Sequence, residues 1–384
     1  PLTASTGTFS LTGNSATLTA TRQLTAATGT FNETGNAANL LDNRLLTAAT
    51  GTFSETGNAA SLSKNYPLTA STGTFSLTGN SATLLHYSLL TSQVGTYSLT
   101  GNNATLTKTG SYAIVGETGV FTLTGNAVNV LHANKLLVDI GVYTESGQTV
   151  GLLTSKKIVS DTGIYTLSGN DITVLRTWEI QSNIGVYSVS GNTSTLHKNY
   201  IIVIDHGFPD YFSLVGNSVN LLKGNSISLD VGIFTITGNN VNLVNNQILS
   251  TDIGTFGITG LNVNLSKNTP LTAIAGSYSL TSNSVNLVQN HLLSLSSGTF
   301  SLTGENVNLP YSQVLTSEIG TFVETGNDVT LTKSTSYSIV GDTGVFTLSG
   351  SNVNIFKSYP LSCNTGVFTL TGQNVTLTED NDYA

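Results

Sequence analysis

The sequence predicts an all-β chain folded as a parallel β-solenoid of about seventeen three-strand, 22-residue coils. Three observations lead there. One repeat spacing persists along the chain, each repeat holds three alternating apolar pairs, and each carries an aromatic residue at the same place.

The spacing is set by a recurring glycine. It stands at Gly7, Gly29, Gly51, Gly73, Gly95, Gly119, Gly141, Gly163, Gly185, Gly232, Gly254, Gly276, Gly298, Gly320, Gly344 and Gly366, with Asp210 in its place once. The usual step is 22 residues; it lengthens to 24 at Gly95–Gly119 and Gly320–Gly344, and to 25 at Gly185–Asp210. Such a period is too long for one strand and too short for a domain, and it suits one rung of a solenoid. In the first repeat the apolar pairs are Phe9 and Leu11, Ala16 and Leu18, then Leu24 and Ala26. Alternation with period two marks a strand with one buried face. The breaks at Gly13-Asn14, Thr21–Gln23 and Ala27–Gly29 supply three corners.

The aromatic position holds Phe9, Phe31, Phe53, Phe75, Tyr97, Phe121, Tyr143, Tyr165, Tyr187, Phe212, Phe234, Phe256, Tyr278, Phe300, Phe322, Phe346 and Phe368. Stacked coils would gather these rings into one interior column. The second strand reads Val-Asn-Leu in successive repeats, giving an expected amide column at Asn220, Asn242, Asn264, Asn286 and Asn308, where like side chains can hydrogen-bond along the stack. The phrase Thr-Gly-Asn-Ser is also a hairpin signal, which would pair Phe9 with Leu18. An antiparallel hairpin repeat or sandwich is therefore the competing architecture.

Charge placement marks the wet corners. The thirteen Lys and Arg, among them Arg22, Arg44, Lys64, Lys108, Lys198, Lys267 and Lys357, fall thirteen to sixteen residues after the phase position. Acids recur two residues before it, as Glu117, Asp139, Asp161, Asp230, Asp252, Glu318 and Asp342. Four acids break the pattern. Glu33, Glu55, Glu145 and Glu324 occupy the place of the inward Leu11. Like charges on neighbouring rungs repel, so either this place lies at a wet corner or the inward assignment fails there.

The repeats read as one continuous domain over 1–378, with an irregular rung near 198–212 and an acidic tail at 379–384. The longer steps carry the variants Ser111–Gly119 and Ser336–Gly344, which suggest a bulged corner. The start, Pro1-Leu2-Thr3-Ala4, repeats the internal Pro67-Leu68-Thr69-Ala70, and methionine is absent, as expected of a processed or partial product.

Charged residues are 9% of the chain, far below the usual quarter, and the net charge is −8. Such sparse basic residues disfavour nucleic acid, and no apolar run is long enough to span a membrane. Cys363 is the single cysteine, in the place of a small buried alanine, so no intramolecular disulfide forms. The five histidines, His86, His132, His197, His206 and His291, lack metal-ligand spacing. Asp205, His206 and Asp210 could bind a metal or do acid–base work, but a spacer at a kinked rung is simpler. Glu117, Asp139 and Asp161 could share calcium, although Asp is also a common turn former. Trp178 is a possible sugar platform or a simple cover for apolar surface. No cofactor is expected and no catalytic motif stands out.

Two stretches, Thr118–Gly125 and Thr365–Gly372, share the form Thr-Gly-Val-Phe-Thr-Leu-Thr-Gly. With its variants along nearly the whole chain, this resembles the Thr/Gly-rich repeats of structural and tail-associated proteins of tailed bacteriophages. The resemblance implies a structural role and a virion or extracellular location; it carries over no functional residue. The leading expectation is a non-enzymatic fibre or filament subunit that self-associates through its terminal rungs, since both terminal repeats look like interior ones and open strand edges invite pairing. A glycan- or receptor-binding shaft is the alternative. Ice binding by Ser/Thr columns such as Ser10-Thr12, and a carboxylate enzyme on the coil, are weaker ones.

Overall fold

The computed structural model describes residues 2–19, 23–41, 45–63, 68–85, 89–107, 113–131, 135–138, 140–153, 157–160, 162–175, 179–182, 185–197, 201–204, 211–223, 226–229, 232–244, 248–266, 271–288, 293–310, 314–317, 319–332, 338–341, 343–356, 361–363 and 365–378. Among these there are strands and turns and no helix. The chain divides into two units, Pro1–Asn192 and Thr193–Ala384.

Each unit is a parallel β-solenoid. In the first, a rung takes a five-residue strand, a corner, a second five-residue strand, and then a short third strand. Thr30–Thr34, Ala37–Leu41 and Leu46–Ala48 make one such set. Every strand pairs with its counterpart one rung away, in parallel and in register: Phe31 with Phe53, Ala38 with Ala60, Leu46 with Leu68. The second unit does the same, with Phe234 opposite Phe256, Val241 opposite Val263, and Leu249 opposite Leu271.

The hairpin alternative fails at the corner. Phe9 pairs with Phe31 and not with Leu18. The corner donors point along the stack: Gly13 N–H donates to Thr34 O at 3.1 Å, and Ala37 N–H to Asn14 O at 3.1 Å. With those groups committed between rungs, nothing is left to close a turn within one rung. In Ile164–Leu175 of the first unit, and in Ile233–Val244, Thr255–Ser266 and Ser277–Val288 of the second, the expected break at the first corner closes up, whether it reads Gly-Asn, Gly260-Leu261 or Ser282-Asn283. There the ladder runs through the corner, with Gly238 opposite Gly260 and Asn240 opposite Asn262.

Alternation sorts the side chains. In Thr30–Thr34, Phe31 and Glu33 point inward and Thr30, Asn32 and Thr34 outward. Ala38 and Leu40 from the second strand and Ala48 from the third are buried as well. The third corner is packed too closely for a side chain. A Cβ built on Gly29, Gly51, Gly73, Gly95, Gly141 or Gly298 would lie 2.2–2.3 Å from the carbonyl oxygen of the glycine one rung before. The phase glycine is therefore a clearance residue. None of these six has a left-handed φ, so the absence of a side chain is what the corner uses.

Candidate functional site

The described residues with unusual chemistry lie inside the stack. The aromatic rings form a column in each unit. From Phe9 through Phe31, Phe53, Phe75, Tyr97, Phe121, Tyr143 and Tyr165 to Tyr187, centroids are 4.7–5.5 Å apart. From Phe212 through Phe234, Phe256, Tyr278, Phe300, Phe322 and Phe346 to Phe368 they are 4.7–5.9 Å apart. In-register pairing imposes this, because one rung spacing separates like residues. Each buried ring contributes roughly 1.5–3 kcal/mol through burial, and each stacked pair about 0.5–1.5 kcal/mol more.

A second column is polar. Asn242 Nδ2 donates to Asn220 Oδ1 at 3.0 Å, Asn264 to Asn242 at 3.2 Å, Asn286 to Asn264 at 3.1 Å, and Asn308 to Asn286 at 3.4 Å. Sequence reasoning missed a further ladder on the Gly-Asn corner of the first unit. There Asn58 donates to Asn36 at 3.2 Å, Asn80 to Asn58 at 3.4 Å, Asn102 to Asn80 at 3.3 Å, and Asn126 to Asn102 at 3.5 Å. The signal was present as the repeated Gly-Asn, but there it looked like turn chemistry alone.

The four anomalous glutamates face inward and are dry. Glu33, Glu55, Glu145 and Glu324 are all 0% exposed. This corrects the expectation of a wet corner or a failed inward assignment: the place is inward, and the proton resolves the conflict. Burial, then the Glu33 charge beside it, pushes the Glu55 carboxyl from 4.5 up to about 9, against the opposing pull of the Ser61 N–H. That N–H donates to Glu55 Oε1 at 3.0 Å. Burial raises Glu33 to about 7. Glu145 rises to about 8 through burial, although the Tyr143 hydroxyl donates to its Oε1 at 2.5 Å and favours the charged form. Glu324, between Leu302 and Leu348 on adjacent strands, is raised well above 4.5 by burial alone. A neutral carboxylic acid replaces leucine at far lower cost than a carboxylate would. With Glu55 at about 9 and Glu145 at about 8, both hold their protons at pH 7, which makes the chain about two units less negative than its formal −8.

The outer corners differ along the chain. Where the residue before the phase glycine is threonine, its hydroxyl donates to a carbonyl one rung away, as Thr50 does to Ala27 O at 2.8 Å and Thr72 to Ala49 O at 3.0 Å. Val94, Ile140, Ile253 and Ile319 take that place elsewhere and stand exposed. On the third face, Lys157 Nζ binds Glu179 at 2.7 Å and Gln181 at 2.9 Å, a half-buried ion pair across one rung.

Several sequence candidates fall outside the described residues: Trp178, Asp205–Asp210, Asp139, Asp161, the tail 379–384, and His86, His132, His206 and His291. So do most of the basic corner residues and the two-residue insertions near 108–112 and 333–337. The register resumes after both insertions, at Leu90↔Ile114 and Leu315↔Ile339. Cys363 ends the strand Leu361–Cys363. Among the described residues no group of three His, Cys, Asp or Glu is placed to hold a metal ion. No described helix is long and apolar enough to cross a membrane. No protein-family model, curated protein or solved structure matches the chain.

Proposed function

We propose that the chain is a structural shaft: a stiff, non-enzymatic element of a fibre or filament at a virion or extracellular surface. One observation carries this reading. Successive rungs of each unit are joined in register by three parallel ladders, with rings and aliphatic side chains stacked continuously inside. Bending such a unit would shear hydrogen bonds and ring contacts at every rung, so the architecture favours stiffness over motion.

Self-association is the second part of the proposal. Phe9, Val375 and Leu377 are exposed although their counterparts in other rungs form the core. Their strands match the same repeat, so another rung of this type, from a second copy or from further chain, would complete both ladders. Electron microscopy of the full chain in negative stain tests the reading. Filaments or straight rods of uniform width are expected; compact globules would refute it.

A further inference from the structure

We propose that Glu33 and Glu55 form an alkali-sensitive release point in the first unit, where Thr30–Thr34 and Thr52–Thr56 stay closed while both carboxyls hold protons and part locally once they lose them. The two residues are direct partners in one parallel ladder. Both are fully buried. Neither oxygen of Glu33 has a hydrogen-bond partner, nor does Glu55 Oε2.

The relief around the pair is slight: the Ser61 N–H donates to Glu55 Oε1 at 3.0 Å, and the Asn39 backbone only partly opposes the effect of burial on Glu33. Leu11 lies on the strand before Glu33, and Leu77 on the strand after Glu55. The strands of these four rungs are 2–4, 8–12, 15–19, 24–26, 30–34, 37–41, 46–48, 52–56, 59–63, 68–70, 74–78 and 81–85. Glu33 and Glu55 are the sole ionisable side chains in those ranges. Among the described residues a carboxylate formed here meets no counter-ion, and the second would form beside the first. An uncompensated charge in a closed apolar interior is too costly to keep. Parting the ladder and admitting water relieves both charges, at the expense of a few rung contacts.

The other buried acids are less exposed to this failure. Each is a single acid between two leucines in its ladder, Glu145 between Leu123 and Leu167 and Glu324 between Leu302 and Leu348. Among the described strands, only Glu33 and Glu55 are two acids opposite each other in a ladder.

Hydrogen–deuterium exchange on the full chain from pH 6 to 10, corrected for the intrinsic chemical rate, tests this. Protection over 30–34 and 52–56 should fall about tenfold per pH unit for each carboxyl that is protonated when closed and ionised when open. The strand Thr255–Ser266, whose ladder partners hold no acid, should keep a constant protection factor. The double variant Glu33→Gln/Glu55→Gln should lose the pH slope over 30–34 and 52–56. Glu33→Leu/Glu55→Leu, which restores the residue found at Leu11 and Leu77, should do the same and decides the matter if the glutamine variant does not fold. A flat wild-type profile, or a slope that persists in the leucine variant, overturns the proposal.

Discussion

Replacing Gly51 with alanine is the sharpest test of the corner packing. The new Cβ would lie 2.2 Å from Gly29 O, 3.1 Å from Ala26 O and 3.2 Å from Ala26 C. An ordinary carbon–oxygen contact is about 3.3–3.6 Å, so the Gly29 carbonyl must retreat by about 1 Å. That carbonyl accepts from Thr52 N–H at 3.1 Å, and the retreat breaks the bond. The loss costs about 1 kcal/mol net, and the stranded buried N–H about 1–3 kcal/mol in all. Alanine returns about 0.4–1 kcal/mol by restricting the unfolded chain. The net expectation is a destabilisation of about 1.3 kcal/mol, or about tenfold in local opening. Gly257 is the matched control. A Cβ there meets nothing nearer than Thr235 Cγ2 at 3.9 Å, so Gly257→Ala should stabilise by about 0.4–1 kcal/mol. Hydrogen exchange at Thr52 and around residue 257 reads both locally, which suits a repeat fold whose rungs open semi-independently. A Gly51→Ala protein as protected at Thr52 as the parent would refute the clearance argument.

Further expectations follow from the same geometry. Phe256→Ala removes a fully buried ring stacked on Phe234 and tilted against Tyr278, and should cost about 3–5 kcal/mol, measured by the denaturant midpoint. For Glu145 the folded carboxyl titrates near 8 and the unfolded one near 4.5, so its stabilising effect is complete below 4.5 and disappears as pH rises through 8. Within that window local stability over Val142–Ser146 should fall by about 1.4 kcal/mol per pH unit. Glu145→Gln should flatten that slope, and a pH series of exchange measurements checks it. Lys223 holds a left-handed φ of 59°. Lys223→Gly relieves about 1–2 kcal/mol of backbone strain and loses about 0.5–1 kcal/mol to unfolded-state freedom. A small gain in the thermal midpoint is expected.

The coil itself was legible because its evidence is local. Period-two alternation around Phe9 and Leu11, and the return of the same phrase every 22 residues, are properties of the chain read in one dimension. Each says which face of a strand is buried and how far apart like residues lie. The choice between stacked coils and a hairpin could not be made that way, since Gly13-Asn14 suits both. It rests on where Gly13 N–H donates, and the recipient, Thr34, lies a full rung away.

The glutamates show the limit most clearly. Sequence placed Glu33 and Glu55 opposite each other and offered two outcomes, because it treated each as a charge. Whether a carboxyl is charged depends on the water and donors around it, and those are supplied by residues from other rungs and other strands. The corner glycines make the same point in steric form. Their recurrence can be read from the chain, but the reason for it is a carbonyl oxygen contributed by the preceding rung. Spacing and alternation are written along the backbone; protonation and clearance arise only when separate turns are brought against one another.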